Sequence, residues 1–217
     1  MPRPDRWLAV LARDVRGAKS RLADVLTADE RARLALSMLE DVLEATLGAD
    51  ARVVVATESA SVRDLAARHG APAIMVPARG TREAARDALS AAADAGARLA
   101  GVLPADLPAL RTDDVVALLD AAETADVVLA PDRHGRGTNA LVLRPPLALE
   151  PLFGPDSFAV HRDAAARAGL DVRIVRRSGL ALDVDDADDL RAALEAVPAL
   201  GGARTRGVLS GLAFVRR

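Results

Sequence analysis

Between residues 7 and 196, short apolar runs of strand length alternate with longer segments patterned as helices, and this alternation most limits what the chain can fold into. The runs at residues 7–12, 52–57, 73–76, 99–103, 126–130, 140–143 and 171–176 are rich in consecutive apolar residues, the mark of strands covered on both faces. A further short run, 180–185, ends in alternating acids and reads as one more strand end. A helix follows Thr27, which has Glu30 three residues on as a capping box and Leu34, Met38, Val42 and Leu43 at helical spacing. Further helices are expected at 62–69 behind Ser61 and closed by Gly70, at 81–97, at 113–123 behind Thr112, at 158–168 and at 187–196. Strands and helices in this order build an α/β fold, a mostly parallel sheet with helices on both faces. No repeat, linker or composition break divides residues 1–217, so one domain is expected, with a glycine- and arginine-rich tail from Gly201 that the pattern leaves unassigned.

In open sheets of this kind ligands bind beyond the carboxyl ends of the strands. The run at 99–103 stops at Pro104, and Asp106 follows with Pro108 behind it, so Asp106 falls on the loop past that strand. Past the first strand come Arg13, Arg16, Lys19 and Arg21, four cations in nine residues, suited to phosphate oxygens and equally to a basic surface loop. The segment lacks the glycine spacing and the Gly-Lys-Ser/Thr order of a P-loop. Asp183 and Asp185 are two positions apart in the expected strand end and so share a side. With Asp106 they form a set of hard oxygen donors suited to a divalent cation such as Mg²⁺. An acidic turn capping the helix at 187 accounts for the same residues.

Two glycine turns complete the candidates. Residues 133–139, ending Gly137-Thr138-Asn139, read as a flexible polar turn, and Gly154-Pro155-Asp156-Ser157 opens the helix at 158. Both let backbone N–H groups approach an anion, although Ser157 serves equally as a plain N-cap. His69, His134 and His161 lack metal-ligand spacing and read as surface or supporting residues.

Composition removes other classes. Two per cent aromatic residues leave little for stacking on bases, and a net charge of −2 gives no general attraction to a polyanion, so nucleic acid is not an expected partner. No apolar run reaches membrane-spanning length, so no membrane association is expected. The absence of cysteine excludes disulfides and thiolate chemistry and fits a reducing, cytoplasmic setting. A homodimer is the base-rate expectation.

Five motifs, in order, resemble one family: Ala18-Lys19-Ser20-Arg21-Leu22; Ala105-Asp106-Leu107-Pro108-Ala109-Leu110; Gly137-Thr138-Asn139-Ala140-Leu141; Phe153-Gly154-Pro155-Asp156-Ser157-Phe158 with His161; and Asp183-Val184-Asp185 with Leu190. They are similar to the 2-phospho-L-lactate or phosphoenolpyruvate guanylyltransferases of coenzyme F-420 biosynthesis. The resemblance implies a Rossmann-like nucleotidyltransferase, related to the sugar-nucleotide and molybdopterin enzymes. GTP and a phosphorylated three-carbon acid (2-phospholactate, phosphoenolpyruvate or 3-phosphoglycerate) would form a guanosine-diphospho-acid and pyrophosphate. It further implies Mg²⁺ on Asp106, Asp183 and Asp185, with Asp106 and Lys19 catalytic. Thr138, Gly154 and Ser157 would contact the acid, Lys19 and Arg21 would lie against the GTP phosphates, and Arg13 is a further substrate-binding candidate. The chain reads Leu11-Ala12-Arg13 where the family has Pro-Val-Lys, and Gly80-Thr81-Arg82 where it has Gly-Leu-Asn. Two other readings are a nucleotidyltransferase of the same fold with CTP or another acceptor, and a non-catalytic binder of nucleotides or phosphometabolites.

Overall fold

The computed structural model describes residues 3, 5–196 and 200–212, with Arg16 as backbone only. Residues 1, 2, 4, 197–199 and the last five of the tail, 213–217, lie outside the described residues. The seven strands among them are β1 (Arg6–Leu11), β2 (Arg52–Thr57), β3 (Ala73–Met75), β4 (Leu99–Pro104), β5 (Val127–Pro131), β6 (Thr138–Leu143) and β7 (Val172–Ile174), in the sheet order β3-β2-β1-β4-β6-β5-β7. All neighbouring pairs are parallel except those of β6, which runs antiparallel to both β4 and β5. That reversal matters for function. It brings the amino end of β6, Thr138 and Asn139, to the edge at which β1 and β4 end.

Continuous apolar runs are explained by what covers the two faces. On one side Leu8, Val10, Val53, Val55, Leu99, Leu103 and Val142 meet α1 (Ala28–Leu47), α2 (Ala60–Arg68) and α4 (Thr112–Ala121). On the other, Trp7, Ala9, Val54, Ala100, Val102 and Leu141 meet α3 (Thr81–Asp94) and α5 (Ser157–Arg167). Successive strand residues point to opposite faces, so a sheet buried on both sides needs apolar residues at every position. Gly101, in mid-β4, is the exception in size. A Cβ there would lie 2.8 Å from Val142 Cγ2 and 3.0 Å from Leu8 Cδ2, so the neighbouring strands fill its space. Gly101→Val should destabilise the fold by about 1–3 kcal/mol through overpacking, read from the midpoint of urea unfolding.

A third apolar cluster positions the site. Leu22, Leu26, Leu34 and Met38 pack against Leu182, Val184, Leu190 and Leu209, the last two on α7 (Ala187–Glu195) and α8 (Ala203–Gly211). The loop after β1 is thereby fastened to the segment carrying Asp183 and Asp185. The described part of the tail, unassigned by pattern, forms α8. Buried Asp41 of α1 accepts the backbone N–H groups of Arg204 (3.2 Å) and Thr205 (2.8 Å), capping that helix from a position 163 residues away, which no local signal reveals.

Four local expectations are corrected. Residues 180–185 are not a strand: α6 (Ser178–Ala181) is a single helical turn, and an irregular extended segment follows it. The polar turn expected at 133–139 is present but ends at Gly137: Asp132 accepts the N–H groups of Arg136 and Gly137, both at 2.9 Å, and β6 already begins at Thr138. Helix α2 starts two residues earlier than expected, with Ser59 as N-cap and Ser61 inside, their hydroxyls 2.9 Å apart. Thr112 is the first residue of α4 rather than its cap; its hydroxyl donates to the Ala45 carbonyl at the end of α1 (3.0 Å), and Asp114 accepts the Arg111 N–H instead. No helix among the described residues is long and apolar enough to cross a membrane.

Candidate active site

A cleft of about 680 Å³ opens at the carboxyl edge of the sheet. Its volume is that of a small-molecule site. Arg13, Lys19, Arg21, Asp106, Thr138, Asp183 and Asp185 all line it, while Gly154 and Ser157 do not. Ser157 is the buried first residue of α5, behind the left-handed Asp156 (φ 52°). Glu58, just past the end of β2, and Gly80 and Thr81, at the start of α3, also line the cleft.

Lys19 is the centre of the charge arrangement. It sits between two 3₁₀ turns in a left-handed conformation (φ 57°), which a non-glycine residue adopts at a cost unless its surroundings hold it. Its side chain is only 8% exposed; the ammonium donates to Asp106 Oδ2 and, at 3.1 Å, to Asp185 Oδ1. Burial opposes its charge, but the two carboxylates outweigh burial and hold its pKa above the ordinary lysine value. Residues 87 and 166 positions apart in the chain thus meet on one nitrogen.

Packing and polar contacts fix the acids. Val184 is fully buried in the third apolar cluster and its N–H reaches the Asp106 carbonyl at 3.3 Å. Asn139, at the start of β6, donates to Asp183 Oδ1 (3.1 Å) and to the Leu180 carbonyl (2.9 Å), tying the segment to the sheet. Burial pushes the Asp183 carboxyl up to about 6; the Asn139 hydrogen bond opposes this, and the charges of Asp106 and Asp185 add to it. The run Asp183 to Asp189 divides its labour. Asp186 accepts the N–H groups of Asp188 and Asp189, and Asp189 accepts those of Asp185 and Asp186 while pairing with Arg133 at 2.8 Å, so these two cap α7. The capping reading therefore holds for Asp186 and Asp189, while Asp183 and Asp185 are the acids left facing the cleft.

The donor set suits a hard divalent cation in chemistry: Asp106 Oδ1 is buried and without a partner beside two further carboxylates. Among the described residues no three His, Cys, Asp or Glu side chains are drawn together tightly enough to hold a metal as they stand. The cation now between Asp106 and Asp185 is the Lys19 ammonium.

Sequence reasoning gave no role to Asn139 and placed His161 among supporting residues. Asn139 lies within a recognised motif, but its partner is 44 positions away and only the antiparallel strand brings them together. His161 is fully buried on α5, and burial lowers its pKa to about 4. Its folded pKa lies below the unfolded value, so its contribution to stability is present above about pH 6.5 and lost as pH falls towards 4. At 1.36 kcal/mol per pKa unit the contribution is about 3 kcal/mol. NMR titration should find this ring neutral down to about pH 4, and the unfolding free energy of the wild type should fall more across that window than that of His161→Gln.

The geometry can be set beside known proteins. A family model described as "Guanylyl transferase CofC like" matches residues 9–202. The chain is 44% identical to the phosphoenolpyruvate guanylyltransferase of Sphaerobacter thermophilus, over 80% of this chain and 84% of the relative. It is 43% identical to the enzyme of that name from Rubrobacter xylanophilus, over 88% and 93%. Identity is 42% with the 3-phospho-D-glycerate guanylyltransferase of Phenylobacterium zucineum, over 90% and 91%. Among solved structures, a protein of Desulfovibrio desulfuricans provisionally named a nucleotide-diphospho-sugar transferase superposes with a TM-score of 0.85 at 18% identity, covering 100% of this chain and 98% of its own. A nucleotidyl transferase from Methanothermobacter gives 0.65 at 15%, covering 86% and 94%. The two structures confirm the fold, a nucleotide-diphospho-sugar-transferase-like sheet that is mostly parallel; the family model and the relatives place the chain by sequence. The chain belongs to the CofC-like guanylyl transferase family.

Proposed function

We propose that this enzyme transfers the guanylyl group of GTP to the phosphate of a small three-carbon acid, phosphoenolpyruvate or 3-phosphoglycerate being the first acceptors to try, in the cytoplasm and within coenzyme F-420 biosynthesis. The observation that carries the proposal is the gathering of Lys19, Arg13 and Arg21 with Asp106, Asp183 and Asp185 in one cleft at the carboxyl edge of the sheet. The relatives' names supply the class of acceptor.

The chemistry explains the arrangement. An oxygen of the acceptor phosphate attacks the α-phosphorus of GTP; the new O–Pα bond forms as the bond to the β-phosphate breaks, and pyrophosphate leaves with the electron pair. The nucleophile is already an anion, so no general base is required, and the barrier is repulsion between two polyanions. Arg13 and Arg21 spread positive charge over the phosphates, and Lys19 brings a point charge to the centre. Thr138, which lines the cleft where Gly154 and Ser157 do not, orients the acid. Asp106, Asp183 and Asp185 would hold Mg²⁺, whose chemistry when bound is to neutralise phosphate oxygens and stabilise charge as the leaving group departs.

The test is pyrophosphate release with Mg²⁺, crossing GTP, CTP, ATP and UTP with phosphoenolpyruvate, 3-phosphoglycerate and 2-phospholactate. Release confined to GTP with one acid is the expected result. Release with CTP instead, or GTP binding without release from any pair, would contradict the proposal.

A further inference from the structure

We infer that His161 is a positioning residue for the acid subsite, setting the direction in which the Thr138 hydroxyl offers its proton to the phosphorylated acid. The inference rests on the reading of Thr138 as an acid contact given above. His161 Nε2 accepts the backbone N–H of Leu152 at 2.7 Å. An amide N–H can only donate, so Nε2 carries no proton, and the neutral ring holds its single proton on Nδ1. That nitrogen lies 3.1 Å from Thr138 Oγ1, and the Ser157 carbonyl is beside the same ring. Whether the Nδ1 proton is directed at Oγ1 or shared with the carbonyl, Nδ1 cannot accept. The Thr138 O–H therefore points away from the ring, and Thr138 is a cleft residue.

The ring is well placed to hold this orientation. It is fully buried, and Phe153 meets it edge-on with centroids 5.2 Å apart. Neutrality follows from the same burial. His161 thus ties three parts together: the backbone before the Gly154 turn, the first turn of α5, and the start of β6. A hydroxyl free to rotate would spend part of its time donating elsewhere. One whose lone pair is engaged by Nδ1–H presents its proton to an acceptor in the cleft without that loss.

Two measurements test this. In the wild-type protein labelled with ¹⁵N-histidine, His161 should show the Nδ1-protonated neutral tautomer, and phosphoenolpyruvate added with GTP should shift its Nδ1–H signal. An Nε2-protonated ring, or a signal indifferent to the acid, overturns the inference even if every variant folds poorly. In kinetics, His161→Gln places its amide near the Nε2 position and leaves Thr138 without a donor; it should raise KM for phosphoenolpyruvate about tenfold with KM for GTP unchanged. His161→Asn, whose amide N–H falls near Nδ1, should recover all but about threefold of that loss. Thr138→Val should raise the same KM, and adding His161→Gln to it should cost no more than about twofold further. Equal increases in both KM values, or equal effects of Asn and Gln, would mark a merely structural histidine and overturn the inference. If Thr138→Val raises the acid KM and His161→Gln does not, the inference fails while the Thr138 reading stands. If Thr138→Val changes nothing, both fail.

Discussion

Asp106→Asn is expected to lower kcat by about a thousandfold or more while leaving the protein folded. The substitution keeps the shape and removes one charge from the oxygen set that faces the cleft, where that charge is proposed to hold Mg²⁺ against the departing pyrophosphate. The fold does not depend on it: Asp106 lies on a loop past β4, and its backbone carbonyl, which receives the Val184 N–H, is untouched. Lys19 keeps its second partner, Asp185. Circular dichroism and the melting midpoint should therefore stay close to wild type while pyrophosphate release collapses. A variant with near-normal turnover would remove Asp106 from the catalytic account.

Lys19→Met has the second-largest expected effect, and it acts on both stability and turnover. The ammonium is the one charge that balances Asp106 and Asp185 in the described structure of the cleft, and little solvent reaches it. Without it, two carboxylates face each other with Asp183 alongside, and Asp106 Oδ1, already without a partner, is joined by an Oδ2 in the same state. Removing one member of an enclosed pair costs more than the pair contributed, so the metal-free protein should lose about 1–3 kcal/mol. Added Mg²⁺ should restore part of that loss, because a divalent cation supplies the missing charge. Turnover should not recover: with Lys19 proposed as a charge against the GTP phosphates, kcat/KM for GTP should stay at least about a hundredfold down, since the metal does not replace that cation. Unchanged kcat/KM would show that Lys19 is only a structural counter-ion. The left-handed backbone at Lys19 supports the functional role, because a purely structural lysine has no need of a costly conformation.

Much of this site was legible in the sequence because its positions follow from topology. A buried strand ended by proline places Asp106 at the ligand edge, and a basic segment after the first strand places Lys19 there too. What was not legible depends on contacts between distant residues. Asp183 and Asp185 face the cleft, but not because they share a strand. They lie in an irregular segment held by Val184 in an apolar cluster, by Asn139 from β6 and by the cap of α7. The periodicity argument reached the right residues through an element that is absent. Asn139 was passed over, and His161 was read only as a supporting residue, for the same reason: the Asn139 amide and the Thr138 hydroxyl that His161 meets are both brought into place by antiparallel β6, and strand direction leaves little trace in a run of apolar residues. Helix α8 was missed because its cap, Asp41, comes from α1.

The most direct test of guanylyl transfer follows the oxygens. Phosphoenolpyruvate carrying ¹⁸O at its three non-bridging phosphate oxygens, or 3-phosphoglycerate so labelled if that is the acid turned over, would be incubated with GTP, Mg²⁺ and the enzyme, and both products weighed by mass spectrometry. Attack of the acceptor phosphate on the α-phosphorus predicts a guanosine-diphospho-acid holding all three labels, with unlabelled pyrophosphate. Labelled pyrophosphate, or a guanylyl product without the label, would contradict that chemistry.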